Sequence, residues 1–276
     1  MKNNLKFSVL ISVYVNDKPE FFLQAINSIY NQTLPPNEVV LVVDGPISNK
    51  TKNYIKNFEF KRNTLKTIWL EENVGHGNAK RIGLEACQNN LVAIMDSDDL
   101  CVNTRFEKQI ECFKKNNSLS IVGGTISEFE KDTSNIIGKR VLPLSHEEII
   151  KFLKVRCPMN HMTVMFKKTD IERAGGYLDW YHNEDYYLWI RMYQSECIFE
   201  NLKDVLVYAR VGRNFYHRRG GWRYFMSEYR LQSYMFSKGI INIWRFFINT
   251  TIRIIIQILI PNKIRAFIFK TYFRQR

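Results

Sequence analysis

The spacing of hydrophobic positions changes period several times along this chain, and each change marks an element. Phe7–Tyr14 is a nearly continuous apolar run, as expected for a parallel strand covered on both faces. Pro19 then opens a helical pattern with Phe21, Phe22, Ala25, Ile26, Ile29 and Tyr30 on one face. Glu38–Val43 reads as a second strand, stopped by the turn Asp44-Gly45-Pro46. Ser48–Phe58 reads as a short helix, Leu65–Leu70 as a third strand, Glu71–Gly77 as a glycine-containing loop and Asn78–Cys87 as a helix. Leu91–Met95 is a fourth strand and runs straight into Asp96. Strand and helix alternate throughout, which predicts an α/β fold with a mostly parallel sheet and helices on both faces. Ligands of such sheets lie beyond the carboxyl ends of the strands. Ser12-Val13-Tyr14, Asp44 and Asp96–Asp99 all fall at strand ends, so they should converge.

The pattern is more mixed after residue 100. Asn103–Lys115 predicts a helix with Phe106, Gln109, Ile110 and Phe113 on one side. Ser145-His146-Glu147-Glu148 is a capping box ahead of Ile149–Leu153. Met162–Phe166 reads as a strand and Gly175-Gly176-Tyr177 as a turn. Glu184-Asp185 opens a helix running through Tyr193, where carboxylates suit the positive end of the dipole. Trp222–Ser237 is a further helix. In the apolar stretch Ile240–Ile260, the residues Asn242, Arg245, Asn249, Arg253 and Gln257 recur every three or four positions as a polar stripe. Its two arginines argue against a membrane-spanning helix although the length would permit one. Pro261 ends it, and Lys263–Arg276 reads as a second basic, aromatic helical stretch. The division expected is a catalytic domain over residues 1–220 and a basic amphipathic helical region over 221–276.

Charge sharpens that division. The chain has 276 residues and a net charge of +13. Residues 1–209 are neutral overall, whereas residues 210–276 hold 14 Lys and Arg against one acid, Glu228. A polyanionic partner should therefore meet the tail. The apolar run at the N-terminus is too short for a signal peptide. The five cysteines are odd in number, widely spaced and form no C-x-x-C pair, which suggests reduced thiols in a cytoplasmic protein and no zinc site.

The residue types at the strand ends point to chemistry. Asp96-Ser97-Asp98-Asp99 places three carboxylates within four residues, which repel unless a cation or solvent relieves them. Hard oxygen ligands suit Mg²⁺ or Mn²⁺ shared with substrate phosphate. A solvated acidic turn capping the next helix would look the same. Asp44 can accept hydrogen bonds from a base or ribose, or simply initiate its turn. In Asn73-Val74-Gly75-His76-Gly77-Asn78-Ala79-Lys80-Arg81, glycines precede a helix that carries Lys80 and Arg81 in its first turns, an arrangement that suits an anion. It is neither a Walker loop nor a dinucleotide fingerprint. Glu184-Asp185 stands among aromatics, where a base can be tuned or a helix capped. His217, Arg218 and Arg219 beside Gly220-Gly221 can bind a diphosphate or form a solvated basic loop.

Taken in order, these segments resemble family 2 glycosyltransferases of the GT-A fold. The matching residues are Ser8–Tyr14, Ser28-Ile29-Tyr30-Asn31-Gln32-Thr33, Val42-Val43-Asp44-Gly45 and Asn73-Val74-Gly75. They continue with Met95–Asp99, Gly175-Gly176-Tyr177 and Asn183-Glu184-Asp185-Tyr186. Order and spacing carry the likeness across roughly residues 5–220. Pro158-Met159-Asn160-His161 and Arg218–Trp222 bring it closer to transferases of bacterial exopolysaccharide, capsule and O-antigen assembly.

The resemblance implies an inverting transfer from a nucleoside-diphosphate sugar, UDP above all, to a saccharide hydroxyl on a polyprenyl-linked acceptor. It implies that Ser12, Val13, Tyr14, Asp44 and Asn73 hold the nucleoside. Asp96 and Ser97 would sit near ribose and metal, with Asp98 the leading metal ligand and Asp99 a further one. Asp185 would be the general base with Glu184 assisting. His161, Gly176, Tyr177 and Trp189 would face the acceptor, and His217, Arg218 and Arg219 the diphosphate. Lys80-Arg81 stands where the family's third motif ordinarily ends in Arg-Asn. Once a divalent ion neutralises the leaving diphosphate, only one carboxylate is needed, unlike the pair in glycosidases. The tail is expected to meet an anionic membrane at the cytoplasmic face of the bacterial plasma membrane, or else to cap the sheet with its basic side in solvent. A sugar-nucleotide nucleotidyltransferase is the alternative enzyme, but Val15-Asn16-Asp17-Lys18-Pro19 is a poor triphosphate cradle. A nucleic-acid-binding tail is the remaining alternative. Its isoleucine and aromatic content suits lipid better, so no nucleic-acid partner is expected.

Overall fold

The computed structural model describes residues 5–212 and 220–261. The expected alternation is present as β1 (Phe7–Tyr14), α1 (Pro19–Tyr30), β2 (Glu38–Asp44), α2 (Asn49–Lys61), β3 (Leu65–Trp69), α3 (His76–Ala86) and β4 (Leu91–Met95). These four strands are parallel in the order β3-β2-β1-β4. Period-two alternation sorts their side chains into two cores. Val9, Ile11 and Val13 of β1 pack with Phe22, Ile26 and Ile29 of α1 on one face, while Leu10 packs with Ala79 and Leu84 of α3 on the other. Each such side chain removed from water stabilises the fold by about 1.5–3 kcal/mol.

The second half adds strands that the pattern did not mark. It runs β5 (Leu100–Cys101), α4 (Arg105–Lys115), β6 (Leu119–Phe129), β7 (Ile136–Arg140), α5 (His146–Leu153), β8 (Met165–Lys167), α6 (Lys168–Arg173), α7 (Glu184–Gln194) and β9 (Ile198–Arg210). The sheet continues β4-β8-β6-β9-β5, with β7 on β6 and directions mixed. The Gly123-Gly124 pair hides β6, because it interrupts an otherwise apolar run. Both are needed for close approach: a Cβ on Gly123 would lie 2.4 Å from Asn201 Oδ1, and one on Gly124 would lie 2.5 Å from Leu206 Cδ1. The expected strand from Met162 starts only at Met165, since His161–Thr163 closes a 3₁₀ turn. The Ser145–Glu148 capping box forms as read.

Two helices complete the described chain, α8 (Trp222–Ser237) and α9 (Ile243–Ile254), the latter extended by a π turn at Ile255–Leu259. They pack on each other. The polar stripe of α9 splits: Asn242 and Arg245 at its start are exposed, whereas Asn249, Arg253 and Gln257 face inward and are buried, so only part of the basic side lies in solvent. The cause is a set of inward partners, chiefly Glu228, whose carboxylate accepts from Arg253 Nε at 2.6 Å. Among the described residues no helix is long and apolar enough to cross a membrane.

Candidate active site

A cleft of about 750 Å³ opens beyond the carboxyl ends of β1, β2 and β4. The parallel registers make it. Tyr14 pairs with Asp44 and Ile11 with Met95, so the three strand ends meet. Ser12, Val13, Tyr14, Asp44, Asn73, Asp96, Ser97, Asp98 and Glu184, all named from sequence, line this one cleft.

Asp44 has a second task. Its Oδ1 accepts from Val74 N at 2.8 Å and its Oδ2 from Asn73 Nδ2 at 3.0 Å. The aspartate thereby ties the loop before α3 to the end of β2. Gly45 makes this possible: its φ is +82°, and a Cβ there would sit 2.7 Å from Asn73 N. Lone pairs remain on both carboxylate oxygens for a ligand.

The acidic run splits. Asp96 and Asp98 face the cleft together with Asp17, which the sequence reading did not single out. Asp17 Oδ2 accepts from Ser97 Oγ at 2.7 Å and from Tyr14 N at 3.1 Å. Burial, then the charges of Asp96 and Asp17, push the Asp98 carboxyl up to about 6. A divalent cation would relieve that crowding, so Asp96 and Asp98 fit Mg²⁺ or Mn²⁺ in charge and in ligand type. Asp99 does not join them. It is buried on the opposite side of the turn, where Oδ1 accepts from Arg210 N at 2.7 Å, because neighbouring residues in an extended turn point to opposite sides. Arg210 closes this end of the cleft, its Nε bonded to the Asp98 carbonyl at 3.1 Å and its guanidinium stacked on Phe21 and Phe129.

Lys80 and Arg81 are not positioned as an anion cradle. Lys80 is fully buried on the sheet face of α3, where Nζ donates to the Met95 carbonyl at 3.1 Å and stands 3.9 Å from Asp96 Oδ1. Burial would raise the Asp96 carboxyl, but Lys80 and then His76 outweigh it and hold Asp96 below the usual range. Burial in turn pulls Lys80 down. Arg81 lies on the outer face, paired with Glu85 at 3.1 Å.

The far wall carries Glu184, the first residue of α7, whereas Asp185, the base expected from sequence, does not line the cleft. Glu184 Oε1 bonds His76 Nδ1 at 2.9 Å, and that bond together with the imidazole's charge lowers Glu184 against the opposing effect of burial. Asp185 sits half-buried beside it, accepting from Tyr186 N at 2.6 Å and contacted by Cys157 Sγ at 3.6 Å. Burial and then the Glu184 charge push Asp185 up to about 6. His76, Asp96 and His161 offer ligand atoms within 4.8 Å of one another, a second group able to hold a cation, although Lys80 already faces the same Asp96 oxygen.

Of the expected acceptor residues, His161, Tyr177 and Trp189 are buried behind this wall, and Gly176 is only half-buried. His161 Nε2 and Tyr177 Oη are 2.9 Å apart, Tyr177 and Trp189 are fully buried, and Trp189 Nε1 has no partner among the described residues. Burial pulls His161 down to about 3, so its imidazole is neutral. Gly176 contributes a carbonyl to Arg191 Nη2 at 2.7 Å. None of the four lines the cleft, because apolar surroundings draw Tyr177 and Trp189 into the core of α7. His217, Arg218 and Arg219 lie outside the described residues. Asp17, His76 and Arg210 escaped the sequence reading because each stands in a segment whose position only the fold decides.

The family model described as glycosyl transferase family 2 matches residues 8–173. An uncharacterised glycosyltransferase of Haemophilus influenzae is 42% identical over 82% of this chain and 86% of its own. The UDP-Gal:alpha-D-GlcNAc-diphosphoundecaprenol beta-1,3-galactosyltransferase of Escherichia coli is 36% identical over 98% of this chain and 97% of its own. The amylovoran biosynthesis glycosyltransferase AmsE of Erwinia amylovora is 37% identical over 96% and 98%. In fold, the chain resembles S. aureus TarS 1-349, solved in complex with UDP-GlcNAc, at a TM-score of 0.62 and 19% identity, covering 83% of this chain and 66% of that one. With the family match over more than half its length and relatives of this identity along nearly all of it, this chain is an enzyme that belongs to glycosyl transferase family 2.

Proposed function

We propose that this enzyme moves a sugar from a UDP-linked donor to a hydroxyl of a polyprenyl-diphosphate-linked saccharide, with inversion, and that it needs Mn²⁺ or Mg²⁺. The observation that carries this reading is the single cleft joining Ser12–Tyr14 and Asp44 to Asp96 and Asp98, with Glu184 across from them. The donor and acceptor follow from the E. coli relative, whose described activity uses UDP-Gal and GlcNAc-diphosphoundecaprenol and which aligns over 98% of this chain. A second E. coli relative, at 28% identity over 63% of the chain, is described as acting on the same acceptor with UDP-Glc. Such an acceptor places the work at the cytoplasmic face of a bacterial plasma membrane, with the cationic tail as the contact.

The uracil nucleoside lies along Ser12–Tyr14 and Asp44. Asp96 and Asp98 would hold the divalent ion, which when bound supplies positive charge to the departing diphosphate. Lys80 keeps Asp96 ionised for that task from behind. Asp185 accepts the proton of the acceptor hydroxyl as that oxygen attacks the anomeric carbon. A carboxyl near 6 is mostly ionised at neutral pH yet basic enough to share the proton. His76 fixes the rotamer of the neighbouring Glu184. Asp17 argues against a nucleotidyltransferase, because it projects an acid where a triphosphate would need cations.

The test is a thermal-shift screen of nucleotide sugars with Mn²⁺, followed by transfer to a GlcNAc-diphospholipid. A UDP-sugar should raise the melting temperature only with metal present, and the same sugar should appear on the acceptor. Stabilisation by a non-uridine nucleotide, or by UDP equally well in chelator, would overturn the assignment.

A further inference from the structure

The outward face of α9 is the opposite of what a solvated helix presents. Trp244 is 74% exposed, Phe247 56% and Ile248 51%, whereas Asn249 beside them is 1% exposed. Ile252, Ile255 and Leu259 continue the exposed stripe through the π turn. At 100° per residue these positions lie on the far side of the helix from Asn249, Arg253 and Gln257. The helix cannot roll to hide them, because its polar side is bonded down. Asn249 Nδ2 donates to Gln232 Oε1 at 2.8 Å and to the Lys154 carbonyl at 2.9 Å. Arg253 is paired with Glu228 and donates to the Val155 carbonyl at 2.8 Å. Trp222, also exposed, is tied to the same region by Gly221 N, which donates to the Gln257 carbonyl at 2.9 Å.

We propose that this face of α9 and its π turn is a lipid-docking surface that lies in the plane of an anionic bilayer, its apolar side chains in the interface. Charge chooses the occupant. Glu228, the single acid after residue 209, is buried against Arg253. Arg223 and Arg230 on α8, Lys238 at its end and Arg245 on α9 are exposed, and residues 262–276 add five more cations and no acid. A second copy would bring cation against cation. Anionic headgroups meet every one of them while the acyl boundary takes the tryptophans and isoleucines. Seventeen residues from Ile243 to Leu259 make a helical rod of roughly 25 Å, and its arginine and asparagine side chains hold it to the enzyme, so it lies on the membrane and does not enter it.

The surface is coupled to the active site through packed backbone. α8 holds the segment before Glu184, with Asn183 Nδ2 donating to Ser227 Oγ at 3.0 Å and Ser227 Oγ donating to the Tyr181 carbonyl at 2.6 Å. α9 holds Lys154 and Val155, shortly before the Cys157 that touches Asp185. Docking therefore sets the proposed base at a fixed height over the bilayer. The inference rests on the proposed membrane-linked acceptor for its purpose, but its test involves no sugar.

The experiment is flotation of the full chain with phosphatidylglycerol-containing vesicles and, separately, with pure phosphatidylcholine. Wild type and a Trp244→Gln/Phe247→Gln/Ile248→Gln variant are compared. Those side chains are exposed, so the variant should keep its melting temperature and its UDP protection. Wild type should float with the anionic vesicles with a blue-shifted tryptophan emission, and the variant should lose at least about tenfold in partitioning. Equal flotation of the two proteins overturns the proposal. So does loss of binding on deletion of residues 262–276 alone with the triple variant unaffected, because the tail and not α9 would then be the contact. A concentration-dependent dimer that the triple variant abolishes, with no vesicle binding by either protein, assigns the face to a second copy and likewise overturns it. Absence of sugar transfer, with flotation as expected, would defeat the proposed function and leave the docking surface standing.

Discussion

Asp185→Asn should make the enzyme more stable and nearly inactive, and the two effects should part company with pH. The Asp185 carboxyl is held at about 6 against an ordinary 3.8 by burial and by the Glu184 charge. Keeping it ionised in the folded state therefore costs about 3 kcal/mol. The sign follows from linkage. The cost is full above about pH 6, where the folded carboxylate is ionised, and absent below 3.8, where it is protonated folded or unfolded. Asparagine has the same shape and can still accept the Tyr186 N–H bond, so the variant removes the charge with little else. At roughly 2–4 °C per kcal/mol for a chain near this size, it should melt roughly 6–12 °C higher than wild type at pH 8, and the gap should shrink to about a third of that by about pH 4.5. Transfer should fall by about 10²–10⁴-fold if Asp185 is the base, with metal-dependent UDP protection intact. Paired thermal melts at the two pH values and initial-rate assays at pH 8 measure both effects. Coincident melting at pH 8, or a gap that ignores pH, would refute the account of a strained carboxylate. Undiminished turnover would refute the role of base.

At saturating Mn²⁺, which would keep Asp98 ionised, wild-type kcat/KM should rise with pH through a limb near 6, as Asp185 loses its proton, and that limb should vanish in Asp185→Asn when its residual activity is profiled. Asp98→Ala should abolish Mn²⁺-dependent protection by UDP while leaving the apo melting temperature unchanged or higher, since one of three crowded acids is gone; retained protection would move the metal elsewhere. Lys80→Met removes the cation 3.9 Å from Asp96, so UDP protection should weaken and shift to higher pH as Asp96 becomes harder to ionise. Arg253→Met strands the buried Glu228 and should cost about 3–5 kcal/mol by denaturant titration, whereas Arg253→Met with Glu228→Leu should recover much of that loss.

The reach of the sequence is clearest in β1 to β4. Strands buried on both faces are apolar at nearly every position, so Phe7–Tyr14 and Leu91–Met95 are legible at sight. Parallel pairing then forces their polar ends together, which is why Ser12, Asp44 and Asp96 could be grouped before any coordinates. β6 and β9 were not legible. Gly123 and Gly124 break the first, and the second carries Glu200, Asn201, Lys203 and Asp204 through its middle, so neither shows a clean period.

Side was the information missing throughout. Periodicity shows that α9 has a polar stripe and an apolar one, but not which faces the protein. Glu228, 25 residues earlier on α8, reverses the usual answer at Arg253 because a buried arginine must have its counter-charge. Lys80 and Arg81 are alike in sequence, yet one holds Asp96 and the other meets solvent and Glu85. Asp98 and Asp99 are alike too, and the turn sends one to the cleft and the other to Arg210 N. Local pattern determined which residues are apolar, which are charged and where the strands end. Tertiary packing alone decided which side each charge faces, since the energy of a buried charge depends on partners that lie tens of residues away.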